Sequence, residues 1–181
     1  MRDFDEMKLA RVIDACGGVD GRVKMQKIVY LLKVMGYELP FDDFVIRQLG
    51  PFSRAVACST DLLKSAGFID ETREEAGHNV HGEPVFRYSY TVSTSIRPLL
   101  MQHFDVDTPP GKPPIDAVAV DLKAQDRAVL EVAATKLYLQ REDQLAGQAL
   151  EDELRRLKGH LASHFSKADV LLAEWKRNAW L

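Results

Sequence analysis

Cysteine is scarce in this sequence, and long apolar runs are missing. Its two thiols, Cys16 and Cys58, are too few for a disulfide framework or a four-cysteine zinc site. Each falls in an apolar helical pattern and is expected to be a reduced core residue. No apolar stretch reaches the length of a bilayer-spanning helix, and Met1–Arg2–Asp3 opens no secretory segment. A soluble cytoplasmic protein with no membrane partner is therefore expected. Positive charge is not in excess either: 24 Lys+Arg stand against 27 Asp+Glu, a formal net charge of −3. That counts against a strongly cationic nucleic-acid binder, although a local basic face needs no overall excess. The Walker glycine–lysine loop, the dinucleotide glycine fingerprint, the HExxH metal site and the nucleophile elbow are all absent. The common enzyme classes lose support, no cofactor is expected, and an unrecognised nuclease or hydrolase is the third-ranked reading.

What is present is ordinary globular material. Over 181 residues, 46% are hydrophobic and 28% charged, enough for one full core or two small ones. Leu9, Val12, Ile13 and Cys16 recur at helical spacing before Gly17–Gly18 stops the pattern. Met25, Ile28, Val29, Leu32 and Met35 predict a second helix over residues 22–35, joined to the first by a short GVDG turn. A short strand is expected at 44–48. The turn Gly50–Pro51–Phe52–Ser53 then enters a third helix over 53–66, with Ser53 as its cap.

The period then changes. Residues 68–74 predict one strand, and 85–92 a second with Phe86, Tyr88, Tyr90 and Val92 on one side. The polar stretch 75–84 reads as the tip between them. Three helices followed by a hairpin is the element order of a winged-helix module, with the third helix in the recognition position. The fold class expected is mainly α with a small antiparallel β-hairpin, a winged-helix-like N-terminal body plus C-terminal helices. The predicted organisation is a winged-helix-like domain at 1–104, a proline-rich connector at 105–120 and a helical extension at 121–181. In the extension, helices are expected at 125–140, 143–164 and 167–176, the last capped by Ser166. Gly147 and Gly159 argue against an uninterrupted middle helix.

Basic residues cluster early. Lys24, Lys27 and Lys33 are expected to share an outward side of the second helix, with Arg47, Arg54 and Lys64 adding to it and Ser59 and Thr60 approaching a bound duplex. The hairpin opposes this, since Asp70, Glu71, Glu74, Glu75 and Glu83 face one permanent cation, Arg73, between residues 70 and 83. An acidic wing suits a protein partner better than phosphates. His78 with His81, and His160 with His164, have spacings that ligands use, yet nothing nearby completes a metal set. No metal site and no catalytic residue is assigned. Trp175 and Trp180 are candidates either to close the core or to anchor a partner, a second copy included.

GRVKMQKIVYLLKVMGYELPF, followed by GPFSRAVACSTDLLKSAGFI, resembles the small bacterial YwgA-like family, as does VLEVAATKLYL at 129–139. More distantly the pattern resembles the Panacea-type domain of antitoxin-associated proteins, although that domain more often writes its turn G-P-[VI]. The resemblance implies a fold more than an activity. An antitoxin-like role, neutralising a protein toxin, would follow from the wider likeness. Gln26 and Lys27 are marked as candidates to orient the turn or contact a partner, and Tyr30 to present its hydroxyl. The expected function is a non-enzymatic regulatory or adaptor protein acting by protein–protein docking, with a DNA-binding transcriptional regulator of double-stranded DNA as the alternative.

Overall fold

A computed structural model describes residues 5–181; the reading of Met1–Arg2–Asp3 lies outside them. Helix α1 (Asp5–Ala15) leads into β1 (Val19–Asp20), α2 (Arg22–Val34), β2 (Val45–Arg47), β3 (Gly50–Phe52) and α3 (Arg54–Ser65). The long strands β4 (Ile69–His78) and β5 (Pro84–Val92) follow, then α4 (Arg97–His103), α5 (Ile115–Ala124), α6 (Arg127–Arg141) and α7 (Gly147–Lys158). A 3₁₀ segment (Gly159–His164) joins α7 to α8 (Phe165–Arg177). The chain is mostly helical, with one small antiparallel sheet of order β1-β5-β4 and a separate β2–β3 hairpin. Two of the sheet's strands form the hairpin that follows the third helix, and the topology is winged-helix-like.

Several elements depart from expectation for identifiable reasons. The GVDG turn contains β1, two residues long, which pairs Val19 with Tyr90 and Asp20 with Ser89. A two-residue strand has no period to detect. The hairpin strands run to His78 and from Pro84, so the tip shrinks to the residues between them, where the Asn79 carboxamide oxygen accepts from the amides of His81 and Glu83. Gly50–Pro51–Phe52 is a strand and not only a turn. Residues 115–120 belong to α5 and not to a connector. The pattern over 143–164 is helical only from Gly147 to Lys158, bounded by the two glycines that argue against continuity, and Ser166 lies inside α8 instead of capping it. Ser53 does cap α3, its hydroxyl accepting from the Val56 amide at 2.9 Å.

The centre of the fold is α2. It meets α1, β1, α3, α5, α6 and β3. Every residue from Met25 to Leu32 is buried as a result, and an amphipathic pattern loses its solvent face there. One continuous apolar cluster runs from Leu9 and Ile13 through Ile28 and Leu32 to Leu130, Val132, Leu154 and Trp175. The proline-rich stretch is tied down. Buried Arg11 forms a fork on Asp116 at 3.0 and 2.7 Å and also reaches Asp105 at 3.1 Å, while the Tyr37 hydroxyl donates to Pro113 O. Among the described residues, no helix is long and apolar enough to cross a membrane.

Candidate functional site

The densest polar construction lies where α2 meets the β2–β3 hairpin. Gln26 and Lys27 are consecutive, so they project about 100° apart around the helix, and each takes a different part of the same turn. The Gln26 carboxamide donates to Ser53 O at 3.0 Å and accepts from the Ser53 amide at 2.8 Å, completing that residue's backbone as a neighbouring strand would. Lys27 Nζ donates to Pro51 O at 2.7 Å. From the far end of the chain, Lys158 Nζ donates to Gln48 O at 2.6 Å and to Glu131 Oε1 at 2.6 Å. Lys27, Lys158 and Glu131 are 2%, 1% and 3% exposed, so two ammoniums and one carboxylate share a dry interior.

That imbalance shows in Lys27. Burial disfavours its charged form; Glu131 opposes the effect, Lys158 and Arg127 reinforce it, and its pKa falls to about 7. Beside it, Gly50 sits at φ 88°, and a Cβ there would lie 2.8 Å from Thr135 Oγ1 and 3.2 Å from Lys27 Cε. Only glycine fits this close approach. Asp43 completes the entry to α3: it accepts from the Ser53 hydroxyl and, at 2.9 Å, from the Ala55 amide. Its partial burial works against ionisation, but these bonds hold its carboxyl below the usual range.

In front of this lock lies a cleft of about 410 Å³ between α2, the β2–β3 hairpin and α3. Val23, Met25, Phe52, Val56 and Ala57 give it apolar walls, and Gln26, Lys27 and Thr60 add polar groups. Arg22 and Arg47, both exposed, belong to its lining, with the Arg47 guanidinium 4.7 Å over the Phe52 ring. Leu49 at the hairpin tip is 40% exposed and Leu62 on α3 is 55% exposed. A second cleft, about 790 Å³, separates the start of α2 from the wing and gathers Arg22, Lys24, Arg87 and Arg127 with Asp20 and Glu71.

The expected basic face is therefore redistributed. Lys27 points inward, Lys24 is half-buried and donates to Lys123 O, and Lys33 pairs with Asp42. Lys64 is exposed but bound to Glu71 at 2.5 Å; Arg47 and Arg54 are exposed. Ser59 and Thr60 are buried, and the Thr60 hydroxyl donates back to Val56 O at 2.8 Å, so neither reaches toward a duplex. Gln26 and Tyr30 are buried as well. Trp175 closes the core, its Nε1 donating to Asp121 at 3.2 Å, and Trp180 is partly buried. Cys58 is exposed on α3 and not in the core, unlike Cys16. Arg87 and Arg127 lie far apart in sequence, which is why spacing alone does not join them to Lys24. Among the described residues, no group of three His, Cys, Asp or Glu is placed to hold a metal.

With this geometry in hand, one likeness to a curated protein stands out. The chain is similar to Uncharacterized protein YwgA of Bacillus subtilis (strain 168). The two are 29% identical over 154 residues, covering 85% of this chain and 81% of the relative. No family model matches the chain, and no solved structure does. The more distant likeness to the Panacea-type domain thus finds no support, while the likeness to YwgA covers most of the chain.

Proposed function

We propose that this chain is a non-enzymatic regulatory or adaptor protein that docks a protein partner at the cleft between α2, the β2–β3 hairpin and α3. The observation that carries this reading is an apolar cleft with two exposed arginines in its lining, on a hairpin fixed by buried side chains from α2, α6 and α7. A fixed concave apolar surface loses little ordering entropy on binding, and such surfaces accept an anchor side chain. Arg22 and Arg47 favour an anchor flanked by acidic residues. Asp43 and the Gln26 carboxamide serve the scaffold by holding the hairpin–α3 junction, and no proton transfer is assigned to them.

The test places a photo-crosslinking residue at Leu49 and, as a control, at Val170 on α8, which is also exposed. A discrete adduct from Leu49 alone, lost when Ala57→Glu fills the cleft, supports the reading. Equal adducts from both positions, or none from Leu49, defeat it. Light scattering during size exclusion shows whether the captured protein is a second copy of the chain.

The basic cleft beside the wing favours a second reading, a DNA-binding regulator, because Arg22, Lys24, Arg87 and Arg127 converge there from three elements, α2, β5 and α6. Against it, the wing carries Asp70, Glu74, Glu75 and Glu83 beside Arg73 and Arg87, which repel a phosphate backbone. Salt-sensitive binding to duplex DNA that falls on Arg87→Glu and ignores Ala57→Glu would put this reading first.

A further inference from the structure

Strand β5 is paired with β4 along its whole length, but its other edge is covered for only two residues. There β1 meets Tyr90 and Ser89, and then Gly21, at φ 82° and ψ 148°, turns the chain out of the sheet and into α2. Backbone groups of a strand alternate between its two sides, so residues 85–88 direct amides and carbonyls away from β4, in line with β1. Among the described residues, no strand and no side chain bonds that edge. The cleft of about 790 Å³ runs beside it, lined by Val85, Phe86, Arg87 and Tyr88. Successive side chains of a strand point to opposite faces, so four consecutive residues border one concavity when it follows the strand's edge. Residues 20–24 and Arg127 form the facing wall. Four residues of strand span about 14 Å, within the ordinary length of a paired strand.

The two edges of this sheet are made differently. The outer strand β4 carries Asp70, Glu71, Arg73, Glu74 and Glu75 and shifts register between Glu75 and Gly77. Charges and a bulge are the means by which a sheet refuses a further strand. Val85-Phe86-Arg87-Tyr88 is rich in β-branched and aromatic residues, with Val85 45% and Tyr88 36% exposed, a composition suited to strand pairing. Charge then selects the occupant. Arg22, Lys24, Arg87 and Arg127 line the cleft against Asp20 and Glu71. Glu71 is already bound to Lys64 and lies 3.7 Å from Arg22. Arg87 and Arg127 are exposed, and among the described residues neither forms an ion pair or a side-chain hydrogen bond.

We propose that an extended acidic segment of a partner protein adds to the sheet here, antiparallel to β5 and in line with β1. Its carboxylates lie on the Arg87 face of the added strand, and its apolar side chains lie beside Phe86 and Tyr88 on the other. Main-chain pairing supplies the affinity, and the two free arginines supply the choice of sign. The site meets the docking cleft at Arg22 and Val23 but goes beyond that reading, since it uses a backbone edge and no anchor pocket. The same edge favours a peptide over DNA, which has no ladder to offer and which the carboxylates of the wing repel.

The experiment selects phage-displayed random linear peptides on the full-length protein and synthesises the most enriched one. Enriched sequences should alternate Asp or Glu with β-branched or aromatic residues, and binding should slow hydrogen exchange at amides within 85–88. N-methylation at alternate positions of the peptide should weaken binding at least about tenfold, as loss of a hydrogen bond does, and methylation at the intervening positions should not. That alternation belongs to edge pairing and needs no change to the protein. Arg87→Gln should weaken binding about fivefold, and because Arg87 is exposed its melting temperature should change little. No enriched peptide, a peptide indifferent to the position of N-methylation, or protection at 48–57 in place of 85–88 overturns the proposal. So does a short DNA duplex that protects 85–88 when no peptide does. Crosslinking from Leu49 reads the other cleft, so the two proposals fail separately.

Discussion

Two hairpins project from the same helical body, and they are held by opposite means. The wing, β4–β5, has ten and nine residues and pairs with itself from Ile69↔Val92 to His78↔Pro84, with β1 alongside its base. Its outer two-thirds is exposed and is joined only by its own ladder, while Ile69 and Tyr90 bury its base against the helices. The β2–β3 hairpin has three residues in each strand, one of them Pro51, which offers no amide to the ladder. So short a ribbon does not hold itself. Lys27, Lys158 and Gln26 hold it instead, each by bonding backbone within the hairpin or just beyond it. The lesson is that the shorter element is the more fixed, because its constraints come from distant parts of the chain.

The sharpest way to break this contrast is Glu131→Ala. It leaves the buried Lys158 ammonium without its carboxylate, and removing one member of a buried pair costs about 3–5 kcal/mol. Urea unfolding should shift by that amount, and amides at 45–52 should lose exchange protection ahead of those at 69–92. Equal losses in both hairpins would mean that the short one is not specially dependent on remote groups.

A smaller effect follows from pH. The Lys27 ammonium has a pKa of about 7 in the folded chain against an ordinary value of 10.5. Below the lower value both states carry the proton and the group gives no slope. Between the two the unfolded chain binds more protons, so stability rises with pH, by up to about 1.4 kcal/mol per unit. The unfolding free energy of the wild type minus that of Lys27→Met, followed across this interval, should trace that rise. Parallel curves would remove Lys27 from the account.

The smallest effect is expected at the wing tip. Val80 is 96% exposed, and Val80→Ser should alter stability by no more than about 0.5 kcal/mol in thermal or chemical unfolding. A larger loss would show the wing tip packing on something.

Much of the winged-helix-like body is legible in the residues. Met25, Ile28, Val29 and Leu32 trace α2, Ser53 announces α3, and the alternation ending Tyr88-Ser89-Tyr90 marks β5. The inward turn of Lys27 is not legible, because a lysine between apolar positions reads as solvent-facing unless the helix is known to be covered on both sides. Lys158 and Glu131 are hidden for the same reason: nothing local links a charge in α7 to a carbonyl at Gln48. In α5, the prolines before Ile115 and the alternating Ala-Val-Ala-Val obscure the helical period. Of the site, Gln26 and Lys27 stand out through their relation to the G-P-F-S turn. The cleft itself depends on three elements meeting, and Arg87 and Arg127 join its basic neighbour only in three dimensions.

The bond from Lys158 to Gln48 has a consequence for synthesis. As the chain leaves the ribosome, the wing can zip as soon as residue 92 is free, since all of its partners precede it. The short hairpin waits for a lysine made 110 positions after the carbonyl it holds. Until then the nascent winged-helix-like portion carries Lys27 without its eventual counter-charge from α6. Growing chains halted before α6 should therefore expose the hairpin to proteases that spare the finished protein.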